Sequence, residues 1–177
     1  MNVDLNIVEK ASMGDKEAFS DIYYSCYMDF YKYAFFMLGN ADDSEDVVAD
    51  AFLEIWKSIG KLRNPKAFPA WAFKILSARC KKEISAKIKH RAESSLEDFI
   101  ELSPLDSKNI EAVISQKVSV GSALDHLDDE ERMIVMLSVY YGYTHSEIAE
   151  IIGKPQGTVG SKLYRAYAKL KTILAER

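Results

Sequence analysis

The sequence has 177 residues, a formal net charge of −4, 48% hydrophobic and 28% charged residues. This composition is too apolar for a disordered chain and too charged for a membrane protein, and no apolar run approaches the ~18 residues of a membrane span. The N-terminal residues contain acids and no apolar h-region, so we expect no secretory signal, a cytoplasmic location and no direct membrane insertion.

Hydrophobic residues at spacings of three and four predict three amphipathic helices in the first 60 residues. Asp15 is expected to cap the second helix, Gly39 to end it and Gly60 to end the third. The residues on the three inner faces are Leu5, Val8, Ala11; Phe19, Ile22, Cys26, Phe30, Tyr33, Met37; and Val47, Ala51, Ile55, Ile59.

Residues 61–68 are predicted to form a loop, because Pro65 disfavours helical geometry at the residue before it. Residues 69–91 then follow as a long basic helix. Its predicted inner face carries Trp71, Ile75, Ala78 and Ile84.

The periodicity breaks at residues 92–109, which contain Ser, Asp, Glu and Pro and are predicted to be a polar linker. Residues 110–127 have a weak helical pattern. Beyond them, Asp128 with Glu131 and Thr144 with Glu147 are expected to start two helices. Those helices are expected to end at Gly142 and Gly153, and a last helix runs from about Gln156 to Ala175.

No segment alternates as a strand and no repeat is found, so the predicted fold is all-α. Two small helical domains, residues 1–91 and 110–177, are joined by the linker at residues 92–109. Two cysteines, Cys26 and Cys80, are expected to be buried and reduced. The three histidines are scattered, so we expect no metal and no cofactor.

The charges are grouped in four alternating blocks. Residues 1–56 carry three basic and twelve acidic side chains, residues 57–91 eleven and one, residues 92–131 two and eleven, and residues 132–177 seven and three. Such clusters create local potentials that the net charge does not reveal. The basic blocks indicate two contacts with a polyanion, and the acidic blocks indicate either another partner or mutual shielding.

The last two helices have the proportions of a helix-turn-helix, with Ala149 at the crossing and Gly153 in the turn. On the last helix, hydroxyl and cationic residues are predicted to face outward, where they could contact phosphates and guanine edges. They are Thr158, Ser161, Lys162, Tyr164, Arg165 and Lys169. A plain three-helix bundle with a basic face would give the same pattern.

Four segments, in order, resemble the extracytoplasmic-function group of bacterial sigma factors. "LDDEERMIVMLSVYYGYTHSEIAEIIGKPQGTVGSKLYRAYAKLK" resembles the family's region four, with its "GTVxSRLxRA" pattern. "IVEKASMGDKEAFSDIYYSCY", "DSEDVVADAFLEIWKSI" and "FPAWAFKILSARCKKEISAK" resemble the opening and region two. The resemblance covers nearly the whole chain outside the linker.

This resemblance implies a transcription initiation factor without catalysis, whose partners are core RNA polymerase, promoter DNA and an anti-sigma factor. It also implies that polymerase docks on the helix after the region-two acids, at Asp46, Asp50, Phe52 and Trp56. For Phe52 and Trp56 core packing is the alternative, since aromatic residues at helical spacing are often core.

The resemblance further implies that the last helix contacts the upstream promoter element, and that region two contacts the melted downstream element. The residues implied for the downstream element are Arg63, Asn64 and Lys66 in the loop, and Lys74, Arg79, Lys81 and Lys82 on the helix. A flipped base would lie near Asn64. Trp71 is assigned to the core.

This chain departs from the family pattern at three positions. Ala49 replaces the usual Gln, Gly160 replaces a basic or polar residue, and Lys162 replaces an Arg that could form a bidentate contact. Three other classes are alternatives: a helix-turn-helix activator acting without polymerase, a sigma-like protein that titrates a regulator, and an enzyme. The acids of residues 42–46 suit a helix start without catalysis.

Overall fold

A computed structural model of the chain describes residues 3–94, 123–124 and 126–175. Within these ranges every regular element is helical. The first half contains α1 (Leu5–Ser12), α2 (Lys16–Leu38), α3 (Ala41–Ser58) and α4 (Phe68–Ser94), with 3₁₀ turns at Ile59–Lys61 and Pro65–Ala67. The second half contains α5 (Asp129–Val135), a π-helical turn at Met136–Tyr140, α6 (His145–Ile152) and α7 (Gln156–Ala175). The predicted linker begins too early, because residues 92–94 continue α4. Residues 95–122, which hold the rest of that linker and most of the weakly helical segment 110–127, lie outside the described residues.

The helix ends follow the local signals in the sequence. The Asp15 carboxylate accepts hydrogen bonds from the backbone N–H groups of Glu17 and Ala18, and Gly39 ends α2 with φ 67°. Thr144 and Glu147 form the predicted capping box at the start of α6, and Gly153 ends that helix with φ 68°. Each satisfies backbone groups that a helix end leaves without partners, so these four predicted signals are confirmed. The predicted stop at Gly60 is wrong, because α3 ends at Ser58 and Gly60 lies inside the 3₁₀ turn that follows.

The core of the first half is built largely from aromatic rings. Phe30 is fully buried, with its centroid 5.0 Å from that of Phe52 and 5.3 Å from that of Phe73. Tyr33 is also fully buried, and its hydroxyl shares a 2.9 Å hydrogen bond with the hydroxyl of Ser77. The predicted inner faces of the first three helices are buried, with two exceptions. Phe19 is only half-buried, and Leu5 in the first turn of α1 is exposed, so its inward placement is wrong.

The predicted inner face of α4 is wrong at one position. Ala78 is exposed, whereas Phe73, Leu76 and Cys80 are fully buried. The helix packs against α2 and α3 on one side and against α6 on another, so two faces are covered rather than one stripe. Trp71 is half-buried, 6.1 Å from Phe68, in agreement with its assignment to the core.

The two halves share one hydrophobic core. The rings of Tyr141 and Tyr143 lie 4.6 and 5.6 Å from that of Phe73, between α6 and α4. The Tyr141 hydroxyl donates a 2.6 Å hydrogen bond to the backbone carbonyl of Asp29 in α2. The helix-turn-helix therefore lies directly against the long basic helix.

Candidate nucleic-acid and polymerase interfaces

A tight turn positions α7 relative to α6. The Lys154 N–H donates to the Ala149 carbonyl at 3.0 Å, and the Pro155 carbonyl accepts from the N–H groups of Thr158 and Val159. Val159 is fully buried, as are the inward residues one and two turns later, Leu163 and Ala166. The opposite face of α7 is thereby fixed outward.

Three of the predicted upstream contacts form an exposed edge on α7. Tyr164 is 77% exposed, and Ser161 and Arg165 are also exposed. Arg165 Nε donates to the Ser161 carbonyl at 3.4 Å, and the Ser161 hydroxyl donates to the Thr158 carbonyl at 3.0 Å. These local bonds leave the Tyr164 ring and the rest of the Arg165 guanidinium available to a partner.

The two lysines of the predicted upstream set are held by acids at the start of α5. Lys162 Nζ lies 2.7 Å from a Glu130 carboxylate oxygen and 3.6 Å from one of Asp128. Lys169 Nζ lies 2.6 Å from Glu131, whose side chain is only 4% exposed. The hydrogen bond from Lys162 holds the pKa of Glu130 below its usual value, and the same bond raises that of Lys162.

Gly160 is not required by backbone conformation or by space. Its φ lies outside the left-handed region, and a Cβ would meet its nearest neighbour, His145 Nδ1, at 3.8 Å, an ordinary contact. The residue faces α6, since His145 is the first residue of that helix. The missing side chain therefore does not leave a gap in the exposed edge of Ser161, Tyr164 and Arg165.

The predicted downstream contacts in the loop are exposed. Arg63, Asn64 and Lys66 all lie at the surface. Asn64 has extended backbone geometry before Pro65, as predicted, and its side-chain oxygen accepts from the Lys66 N–H at 3.1 Å. The amide of Asn64 thus has a structural role in capping the 3₁₀ turn.

The four predicted cations of α4 are in different environments. Lys74 and Lys82 are exposed and make no ion pair within the described residues. Arg79 points to α3, where its guanidinium lies 2.6 Å from Glu54 and 3.2 Å from Asp50. Lys81 Nζ donates to the Ile152 carbonyl at 3.3 Å, and burial lowers its pKa.

The predicted polymerase contacts differ in accessibility. Asp46 and Asp50 are exposed, and they line a depression between α3 and α4. The Trp56 ring is half-buried, 4.8 Å from that of Phe19. Phe52 is 4% exposed and lies against Tyr23 and Phe30, so its side chain belongs to the core and is withdrawn from the candidate contacts.

Sequence patterns did not identify Glu130, Glu54 or the acids that line the depression, Asp43 and Glu83. The partners of Glu130, Glu54 and Asp43 are far away in sequence, so only the acidic blocks indicated these three residues. Glu83 is the single acid of the basic block. Cys26 and Cys80 are free and buried, and burial raises the pKa of each thiol to about 12.

Over the described ranges, no group of three or more His, Cys, Asp or Glu is arranged to hold a metal ion. No described helix has both the length and the apolarity that membrane crossing needs.

Comparison with known families identifies both halves. The family model for Sigma-70 region 2 matches residues 22–88, and that for Sigma-70, region 4 matches residues 117–170. RNA polymerase sigma factor SigV of Bacillus subtilis is 29% identical over 154 residues, covering 84% of this chain and 86% of SigV. ECF RNA polymerase sigma factor SigM of Mycobacterium tuberculosis is 25% identical over 171 residues, covering 97% and 84%.

Solved structures share the fold. CnrH, in complex with the cytosolic domain of CnrY, has a TM-score of 0.72 at 22% identity, over 99% of both chains. The sigma factor RpoE of Bartonella quintana, in complex with the anti-sigma factor NepR, has a TM-score of 0.71 at 20% identity, over 89% of this chain and 96% of RpoE.

An all-α chain with region two followed by region four is a sigma-70-type transcription factor. This chain belongs to the extracytoplasmic-function group of that family. It is an alternative sigma factor that binds core RNA polymerase and promoter DNA and directs transcription initiation. Because both regions match, two alternatives have no support: a helix-turn-helix activator that acts without polymerase, and a sigma-like protein that titrates a regulator.

Proposed function

We propose that α7 recognises the upstream promoter element through Ser161, Tyr164 and Arg165, with Thr158 at their margin. The exposed edge formed by these side chains is the observation that carries the proposal. A hydroxyl, an aromatic ring and a guanidinium can contact phosphates, thymine methyl groups and guanine edges. Lys162 and Lys169 are assigned to holding the helix, because both are paired with acids of α5.

Region two is proposed to bind the downstream element and to help melt it. Arg63, Lys66, Lys74 and Lys82 are exposed, and none is in an ion pair within the described residues. Unpaired cations attract a single strand as well as a duplex. Arg79 and Lys81 are not among the cations proposed to bind the downstream element, because other groups of the protein already bind their side chains.

Polymerase is proposed to dock on the exposed part of α3 through Asp46 and Asp50, with Trp56 at the edge.

The proposed domain boundaries are residues 1–91 and 110–177, with the linker between them. RpoE, which has a similar fold, is in complex with an anti-sigma factor, and we infer the same class of partner here. We also infer a cytoplasmic, non-catalytic protein.

The test is initiation with core RNA polymerase on a library of promoter fragments, sequenced for enriched upstream and downstream elements. Arg165→Ala should cost roughly 1–3 kcal/mol at one base position and relax selection there. Lys171→Ala, an exposed change on the same helix, is the matched control. No enriched element with the wild-type chain, or equal behaviour of the two variants, would refute the assignment of α7.

A further inference from the structure

Glu130 lies at the junction of three segments: α5, the turn between α6 and α7, and α7 itself. One of its carboxylate oxygens is 3.1 Å from Lys154 Nζ in that turn, and the other is 2.7 Å from Lys162 Nζ on α7. The side chains of Glu130 and Lys162 are only 22% and 19% exposed. Both oxygens of one carboxylate therefore bind the two lysines of the helix-turn-helix nearest its turn.

A third lysine interacts electrostatically with the same carboxylate. Lys81 of α4 donates to the Ile152 carbonyl, and burial lowers its pKa, an effect that the negative charge of Glu130 opposes and the positive charge of Lys154 reinforces. Glu130 thus lies among cations from three separate segments of the chain. It is a point where region two and region four influence each other electrostatically.

The pairing changes what these lysines can do. A lysine is a compact charge without the planar fork of arginine. It therefore binds the backbone phosphates of arbitrary DNA as readily as those of a promoter. A lysine that already pairs with a carboxylate has to lose that partner before it can neutralise a phosphate. Pairing therefore reduces the sequence-independent part of the affinity, while Ser161, Tyr164 and Arg165 stay exposed.

We propose that Glu130 is a positioning residue that sets promoter specificity, by holding Lys154 and Lys162 in ion pairs and away from the phosphates of arbitrary duplex DNA. The inference rests on the proposed function of α7 as the helix that contacts the upstream element. It adds that the discrimination of this helix depends on an acidic residue outside the helix-turn-helix.

The test compares Glu130→Gln with wild type in two measurements. In the first, the full chain alone binds a duplex with a scrambled upstream element over a series of salt concentrations. Each released lysine that gains a phosphate should steepen the salt slope by about 1, and both together by about 2, which is roughly tenfold over a fourfold change in salt. In the second, the holoenzyme binds the selected promoter and the scrambled duplex, and the ratio of affinities should fall.

Glu150→Gln is the matched control, because Glu150 is exposed on α6 and makes no ion pair within the described residues. It removes the same charge without releasing a lysine, so its slope should stay at the wild-type value. Adding Lys154→Gln and Lys162→Gln to Glu130→Gln should return the slope toward that value. A thermal melt followed by circular dichroism shows that each variant is folded.

A slope for Glu130→Gln equal to that for Glu150→Gln overturns the proposal. So does weaker binding to both duplexes at an unchanged slope, which is the result of a purely structural role. The failure of the proposed function has a different signature, because the wild-type holoenzyme would then not distinguish the promoter from the scrambled duplex. The salt slope of the chain alone does not depend on that discrimination.

Discussion

The two surfaces assigned to DNA differ in how their cations are held. On region two, Lys74 and Lys82 extend into solvent without an acidic partner within the described residues. On region four, Lys162 and Lys169 are paired with Glu130 and Glu131. The formal charge counted along the sequence therefore differs from the unpaired positive charge that a surface presents to a polyanion.

The acidic blocks explain much of this difference. The end of the second acidic block, at residues 128–131, lies against α7 and pairs with its lysines. In the first block, Asp50 and Glu54 hold Arg79, and Asp43 binds Lys87. Mutual shielding, one of the two explanations for the alternating charges, therefore applies to these pairs. Asp46 stays exposed for another partner.

The largest expected effect comes from removing the ring that joins the two regions. Phe73 is fully buried and contacts Phe30, Tyr33, Tyr141 and Tyr143. Phe73→Ala should lower the free energy of unfolding by about 3–5 kcal/mol, measured in urea.

The control for that substitution is Leu53→Ala on α3, a side chain that is 55% exposed. Its effect should stay within about 0.5 kcal/mol, as expected for a surface position. Equal losses for the two variants would show that the regions do not depend on the shared aromatic contact.

The second prediction compares the two capping boxes of region four. Glu131 is buried and binds both the Asp128 N–H and Lys169, whereas Glu147 is exposed and, in the described part of the chain, its carboxylate binds Thr144 alone. Glu131→Ala should cost about 2 kcal/mol, since a buried charged hydrogen bond is lost. Glu147→Ala should cost about 0.5 kcal/mol, measured by the same unfolding experiment. A larger loss at Glu147 would contradict the view that the pair at Glu131 holds α7.

The third prediction separates free from paired cations within α4. Lys82→Gln should reduce the slope of log affinity against log salt by about 1, because a free phosphate contact is lost. Arg79→Gln should change the slope much less, since Glu54 and Asp50 already bind the guanidinium. The measurement is binding of the holoenzyme to the selected promoter. The reverse order of the two slopes would refute the distinction drawn between the surfaces.

The smallest expected effect is a gain. Gly160→Ala should stabilise the chain by about 0.5–1 kcal/mol, because alanine favours the helix and its Cβ meets only an ordinary contact with His145. Promoter selection should stay unchanged, since the side chain faces α6. Gly157→Ala, where a Cβ meets nothing within 4 Å, is the control at the start of the same helix. Altered selection by Gly160→Ala alone would place residue 160 on the DNA surface.

The sequence predicted the helix ends well because their signals are local. Asp15, Asp128 and Thr144 act on backbone groups two or three residues away, and Gly39 and Gly153 adopt the left-handed geometry that ends a helix. The outward face of α7 was equally accessible to prediction, because Val159, Leu163 and Ala166 mark the buried side.

The errors arose where distant segments meet. The pattern predicts Ala78 on the inner face, but the residue is exposed, because α4 is covered from two directions and a single stripe cannot describe two buried faces. Lys162 could be placed on the surface of its helix, but its pairing with Glu130 joins residues 32 positions apart. Phe52 had two possible roles, and only the packing against Phe30 and Tyr23 selected one.

The hydrogen bond from Tyr141 to the Asp29 carbonyl belongs to a contact that both regions share. For a partner that binds only when the regions are apart, the apparent affinity would be reduced by the fraction of molecules in which this contact is broken. A partner that binds the regions together has no such penalty. The rings around Phe73 thus set a free-energy cost for separating the two regions. That cost weakens partners that bind the separated regions and leaves the affinity of the others unchanged.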